Sequence, residues 1–163
     1  MILDEEVFAV IMAIIVVGSV FGIAQVLRPS VVEPFTAIGL LNEECKIGDY
    51  PEIVVAGENI TLCIFVHNYM GYPIYYKVVY KIGTNETLPT QNTSSPEPPV
   101  MEWKGFLDHN ENTTFKVTIT VDRPGKKIAL IFELWLYDPD KDAWVYSGRW
   151  VHLYVDVLEA PVT

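Results

Sequence analysis

Three aspartates at alternate positions, Asp138, Asp140 and Asp142, form the stretch of this 163-residue chain whose spacing best suits a hard cation. A D-x-D-x-D run can offer several oxygen ligands to calcium. The EF-hand pattern then requires Gly at its sixth position and Glu at its twelfth, where this chain has Ala143 and Arg149. The run therefore reads as a polar hairpin turn between two strands. His67, His109 and His152 fall on different expected elements without ligand spacing, and the two cysteines are too few for structural zinc. No G-x-S-x-G, P-loop or zincin motif occurs. The acidic residues are numerous but spread, so no acid/base pair can be nominated. The chain reads as a non-enzyme, with no catalytic, cofactor-binding or metal-binding residue and no cofactor.

The next candidates for chemistry are surface ones. Four triplets, Asn59-Ile-Thr61, Asn85-Glu-Thr87, Asn92-Thr-Ser94 and Asn112-Thr-Thr114, are acceptors for N-glycosylation. Cys45 and Cys63 can form a disulfide in an oxidising compartment; the alternative is two free thiols, with Cys63 buried. Six side chains, Tyr75, Trp135, Tyr137, Trp150, His152 and Tyr154, share one sheet face if the apolar residues of their strands point inward. An exposed aromatic cluster marks a protein or glycan contact. The same residues can simply cover a sheet, and Ile131 on that face is too apolar for open water.

These residues need elements to position them. Residues 7–27, following a short acidic flank at 1–6, run for one bilayer span without a charge, Ser19 and Gln25 being the only strongly polar residues. A soluble core helix would carry a polar face, which this segment lacks. A cleavable signal peptide would place Lys or Arg where Asp4, Glu5 and Glu6 stand, and would be shorter. A single transmembrane helix is the expectation. Within it Gly18 and Gly22 form a GxxxG pair, which allows close approach of another helix. Arg28 after the helix would place the following domain in the cytoplasm by the positive-inside rule, but the charge difference is small. The four acceptor triplets favour the extracellular side.

Residues 28–34 carry two prolines and form a short stalk. From residue 35 to 158 the chain breaks into strand-like runs, at 60–68, 73–82, 101–107, 112–121, 127–137 and 144–157. The 112–121 run alternates, with Phe115, Val117, Ile119 and Val121 on one face. Gly- and Pro-containing turns separate the runs. This spacing, with no helical pattern between, predicts an all-β, immunoglobulin-like antiparallel β-sandwich. The Thr-, Asn-, Ser- and Pro-rich segment 83–99 reads as a mobile surface loop. Net charge is −10, which repels phosphate backbones and argues against nucleic acid as a partner.

The punctuation of this domain resembles that of an uncharacterised archaeal membrane-protein family with a domain of unknown function. The likeness rests on Gly48-Asp-Tyr-Pro51, Val55-Ala-Gly-Glu58, Ile64-Phe-Val-His-Asn68, Leu107-Asp-His-Asn-Glu-Asn112, Pro124-Gly125, Phe132-Glu-Leu-Trp-Leu-Tyr137 and Val151-His-Leu-Tyr-Val-Asp-Val157. It covers roughly the last three quarters of the chain. Members of that family usually place several membrane helices before the domain, where this chain shows one. The resemblance implies an archaeal surface setting and an immunoglobulin-like fold, and brings no catalytic residues.

Together these features predict a membrane-anchored, extracellular interaction or scaffold subunit. Its expected partners are the membrane and other membrane or surface proteins, self included. Two alternatives share the layout: a subunit of a cell-surface filament or its envelope anchor, and a small non-catalytic subunit of a membrane oxidoreductase. The basic stretch that precedes the apolar run of pilins is absent here.

Overall fold

The computed structural model describes residues 4–27 and 33–162. Helix α1 spans Glu5–Val26, and none of its residues is buried. At about 1.5 Å per residue it is about 33 Å long, enough for a bilayer core. It starts two residues before the expected 7–27 span and ends one before, taking Glu5 and Glu6 into its first turn, where the helix dipole favours them. The Ser19 hydroxyl donates to the Ile15 carbonyl at 2.7 Å, which satisfies that polar group within the helix itself. This helix is long and apolar enough to cross a membrane.

The second unit, from Pro34 onward, is built from eight strands. They are β1 (Phe35–Leu41), β2 (Ile53–Val55), β3 (Ile60–Tyr69), β4 (Ile74–Gly83), β5 (Met101–Leu107), β6 (Asn112–Ile119), β7 (Gly125–Asp138) and β8 (Ala143–Leu158). One sheet has the order β1-β3-β6 and the other β2-β8-β7-β4-β5. Consecutive strands change sheet at every step except β4 to β5 and β7 to β8, which gives the crossed connections of an immunoglobulin-like β-sandwich. The pairing is antiparallel with one exception, the short β2, which runs parallel to the end of β8.

Alternation builds the core. Leu62, Ile64 and Val66 of β3 and Val117 and Ile119 of β6 face Val78 and Tyr80 of β4 and Leu130, Phe132 and Leu134 of β7. Asn68 closes one end. Its fully buried side-chain amide donates to the carbonyls of Tyr72, Leu107 and Asp108 at 2.8–3.1 Å, and its Oδ1 accepts from the Met70 amide. One side chain thus ties the β3–β4 turn to the β5–β6 turn, leaving few buried polar groups unpaired.

Candidate functional site

The outer face of the five-stranded sheet collects the aromatic residues. β7 pairs Trp135 with Lys77 of β4 on one side and with Tyr146 of β8 on the other. Glu133 lies between Val79 and Trp150, and Ile131 between Lys81 and His152. A β-bulge in β8 around Ser147 and Gly148 adds two residues opposite the Leu134–Trp135 step, so alternation is preserved through it. Tyr75, Trp135, Tyr137, Trp150, His152 and Tyr154 therefore all lie on this face, and all are half-buried.

A polar clasp occupies the centre. Lys81 Nζ lies 2.7 Å from Glu133 Oε1, and both side chains are buried. Lys81 also donates to the Ser95 carbonyl at 2.8 Å, while the Ser95 amide donates to Glu133 Oε2 at 2.6 Å. The Trp135 indole donates to Glu133 Oε1 at 3.3 Å. Every bond of this set is charge-assisted, which strengthens it.

Ser95 belongs to the 83–99 segment, expected as a mobile surface loop, and its backbone is hydrogen-bonded to Lys81 and Glu133 of the sheet. The segment folds back over the sheet because Ser95 completes the Lys81–Glu133 pair. Tyr146 adds a second tie, donating its hydroxyl to the Thr90 carbonyl at 2.7 Å. Burial and then the Glu133 charge push that phenol up to about 12. Gly148, at φ +78°, lets the loop approach: a Cβ there would lie 2.6 Å from the Gln91 carbonyl oxygen.

The aromatic side chains form two groups beside this clasp. Towards the β7–β8 turn, Tyr75 stacks on Phe106 at 4.3 Å and meets Trp144 at 4.9 Å and Tyr137 at 6.0 Å. Lys77 and Lys104 place their ammonium groups 5.0 and 5.6 Å from the Trp144 ring, in cation–π range. Along β8, Trp150 stacks on His152 at 5.2 Å, and His152 meets Tyr154 edge-on at 4.9 Å. Burial lowers the His152 pKa, keeping its imidazole neutral to lower pH. From Ala143 to Val155, β8 is hydrogen-bonded only on its β7 side among the described residues.

Trp135 links the clasp to the first group, because Lys77 lies 5.7 Å from its ring as well as over Trp144. Its bond to Glu133 and its contact with Tyr146 make it part of the clasp. Trp144 and Tyr146 were legible by parity, since they share the even register of Trp150 and His152, yet sequence reasoning passed over them. Phe106, Lys77 and Lys104 join only through the β4–β5 register, which has no local signal.

The remaining candidates are dispersed. Asn59, Asn85, Asn92 and Asn112 are all exposed. Cys45 and Cys63 form a disulfide with Cα atoms 5.2 Å apart. It lies off the core, joining the β1–β2 loop to β3. Gly18 and Gly22 have open space around them. Asp138 accepts from the Asp140 and Lys141 amides, and Asp142 accepts from the Tyr137 hydroxyl, which raises that phenol's pKa. The Asp run thus forms the β7–β8 turn. No group of three or more His, Cys, Asp or Glu side chains gathers in a metal-binding arrangement among the described residues.

Fold and site together define an immunoglobulin-like β-sandwich with an aromatic sheet face, preceded by a helix able to cross a membrane. The chain belongs to the family described as Domain of unknown function (DUF1616), which matches residues 29–156. No curated protein matches it. Among solved structures, a CARDB domain from Pyrococcus furiosus, in complex with di-metal ions, is 13% identical with a TM-score of 0.46, covering 77% of this chain and 89% of that one. A β-glucosidase from Listeria innocua in complex with glucose is 11% identical with a TM-score of 0.44, over 77% of this chain and 16% of the enzyme.

Proposed function

We propose that this protein is a single-pass, membrane-anchored, non-enzymatic interaction subunit whose β-sandwich lies outside the cytoplasm, in an archaeal cell-surface or membrane assembly. The observation that carries the reading is the Trp150–His152–Tyr154 row on β8. These three rings are half-buried, on a stretch of β8 that is hydrogen-bonded on its β7 side only among the described residues, and large amphipathic side chains in such a position are typical anchors of protein interfaces. The rings stack on or abut one another, and Lys127 lies 5.2 Å over the Tyr154 ring. That geometry favours a protein surface over a sugar ring, which needs an open aromatic face.

Location outside the cytoplasm is supported by the Cys45–Cys63 disulfide and by the four exposed acceptor asparagines. The anchor reading is supported by a helix with no buried residue and no charge after Glu6. The partners are other membrane or surface proteins.

The test is gentle solubilisation of the native membrane, purification of the chain and identification of what accompanies it. Discrete subunits in fixed ratio are expected. Trp150→Ala should weaken their retention by about 2 kcal/mol or more while the chain still melts cooperatively. A Trp150→Ala chain that keeps its full complement of partners would sink the proposal.

A further inference from the structure

We infer that β5, the free edge of the five-stranded sheet, pairs antiparallel with the β5 of a second copy of this chain, with Trp103 opposite its own copy at a two-fold axis. This surface is separate from the Trp150–His152–Tyr154 row, so the inference goes beyond the reading above. β5 is the last strand of its sheet and is paired with β4 alone among the described residues. Its other side presents N–H and C=O groups in a row, a template for a further strand. Proteins blunt such edges with proline, excess charge, bulges or short strands. β5 runs for seven residues without proline, and its Glu102 and Lys104 balance each other. It exposes Met101 at 41% and Phe106 at 77%, with Val100 just before it at 50%. β6, an edge of the other sheet, exposes only polar residues along its length: Asn112, Thr114, Lys116 and Thr118.

The occupant follows from the order of charges along the strand. A two-fold axis must set one residue of β5 opposite its own copy. Centred on Glu102, the pairing brings two carboxylates together; centred on Lys104, two ammonium groups. Like charges directly opposite destabilise a ladder. Centred on Met101 or Gly105, the two charges face Val100 and Pro98, or Phe106 and Asp108. Only the register centred on Trp103 sets Glu102 opposite Lys104 of the second copy, and does so twice. The same register places Phe106 opposite Val100, Met101 opposite Gly105, and the two Trp103 rings side by side. Aromatic and opposite-charge cross-strand pairs are favourable ones. Glu102 Oε1 accepts from Lys77 at 3.1 Å, and a carboxylate has room on its second oxygen for Lys104 of the second copy. An extended segment of another protein would require no such order on β5, whereas a second copy does.

The experiment uses the full chain in mild detergent, labelled at its C-terminus with donor or acceptor dye, and reads energy transfer against concentration. The unaltered chain should show transfer that saturates. Lys104→Glu turns both Glu–Lys pairs into Glu–Glu pairs and should weaken association about tenfold or more. Glu102→Lys should do the same, and the double variant Glu102→Lys, Lys104→Glu should restore it. Cooperative melting confirms that each variant is folded. Register is read separately: a Glu102→Cys chain mixed with a Lys104→Cys chain should oxidise to the mixed dimer in preference to either homodimer. A chain that shows no transfer by itself would overturn the inference. So would transfer indifferent to Lys104→Glu, as in a dimer joined through Gly18 and Gly22. A folded double variant that fails to restore association, or cysteine chains that cross-link no better mixed than alone, would overturn it too.

Discussion

Glu133 shows how one residue can decide whether a surface segment is fixed. Its carboxylate is buried and holds Lys81, Ser95 and Trp135. Removing one partner of a buried pair leaves the other charge uncompensated, at a cost of about 3–5 kcal/mol. Glu133→Gln should lower stability by that order in chemical denaturation, and Lys81→Met combined with Glu133→Leu should restore part of the loss. Additive losses would show that the pair is not coupled. A second residue-scale effect concerns tyrosine ionisation. Tyr80 is buried, and burial followed by the Asp122 charge raises its pKa; Tyr146 is pushed up to about 12. Unfolded tyrosine ionises near about pH 10. Above that value the unfolded chain releases protons that the native chain retains, so stability is full below about pH 10 and falls as pH rises towards the native values. Equilibrium unfolding against pH should show this decline, and Tyr80→Phe should flatten it.

At the scale of elements, the disulfide joins the β1–β2 loop to β3 across a separation of 18 residues. Closing a loop of that size contributes about 3 kcal/mol in the chain-entropy model. Cys63→Ala should therefore destabilise the domain by roughly that much, measured as a lower denaturation midpoint without loss of the sheet spectrum. The six strands from β3 to β8 were legible to within about two residues, because period-two alternation reports a face directly, as in Phe115, Val117, Ile119 and Val121. β1 and β2 were not delimited. Gly39 interrupts β1, and β2 is only three residues long, too short for a period. The packing of the 83–99 segment was not legible for a different reason. Composition marked 83–99 as polar, but its anchor is a long-range pair, and no local pattern announces that Lys81 and Glu133 meet beneath it. The aromatic face was half legible. Parity placed its six named residues together, whereas its division by a polar clasp depended on strand order. The turn motifs turned out to be structural: Asn68 and His109 join the β3–β4 and β5–β6 turns, with the Gly71 amide donating to His109 Nδ1 at 3.0 Å, and Glu111 closes its own turn by accepting from the Asp108 amide at 2.8 Å.

For the whole molecule the open physical question is sidedness, on which two features pull in opposite directions. Arg28 directly follows the apolar segment, and the flank before it carries Asp4, Glu5 and Glu6. Counted alone, one arginine would hold the sandwich in the cytoplasm, yet acidic residues weigh little in that rule and a single positive charge is a weak determinant. Against it stand a disulfide, which a reducing cytosol would not maintain, and four exposed acceptor asparagines. Asn85 and Asn92 are the decisive pair. Both sit on the clasped 84–100 segment with their side chains exposed, so a glycan can project without displacing Ser95 or Thr90 from the sheet. Asn59 immediately precedes β3 and Asn112 opens β6, paired with His67, where the backbone is held by pairing before a transferase could act on the folded chain. Mass spectrometry of protein from its native membrane should find glycan on Asn85 or Asn92. Asn85→Gln with Asn92→Gln should remove most of the glycan mass while leaving the fold stable. Four bare asparagines together with two free thiols would place the domain on the cytoplasmic side and reverse the orientation proposed here.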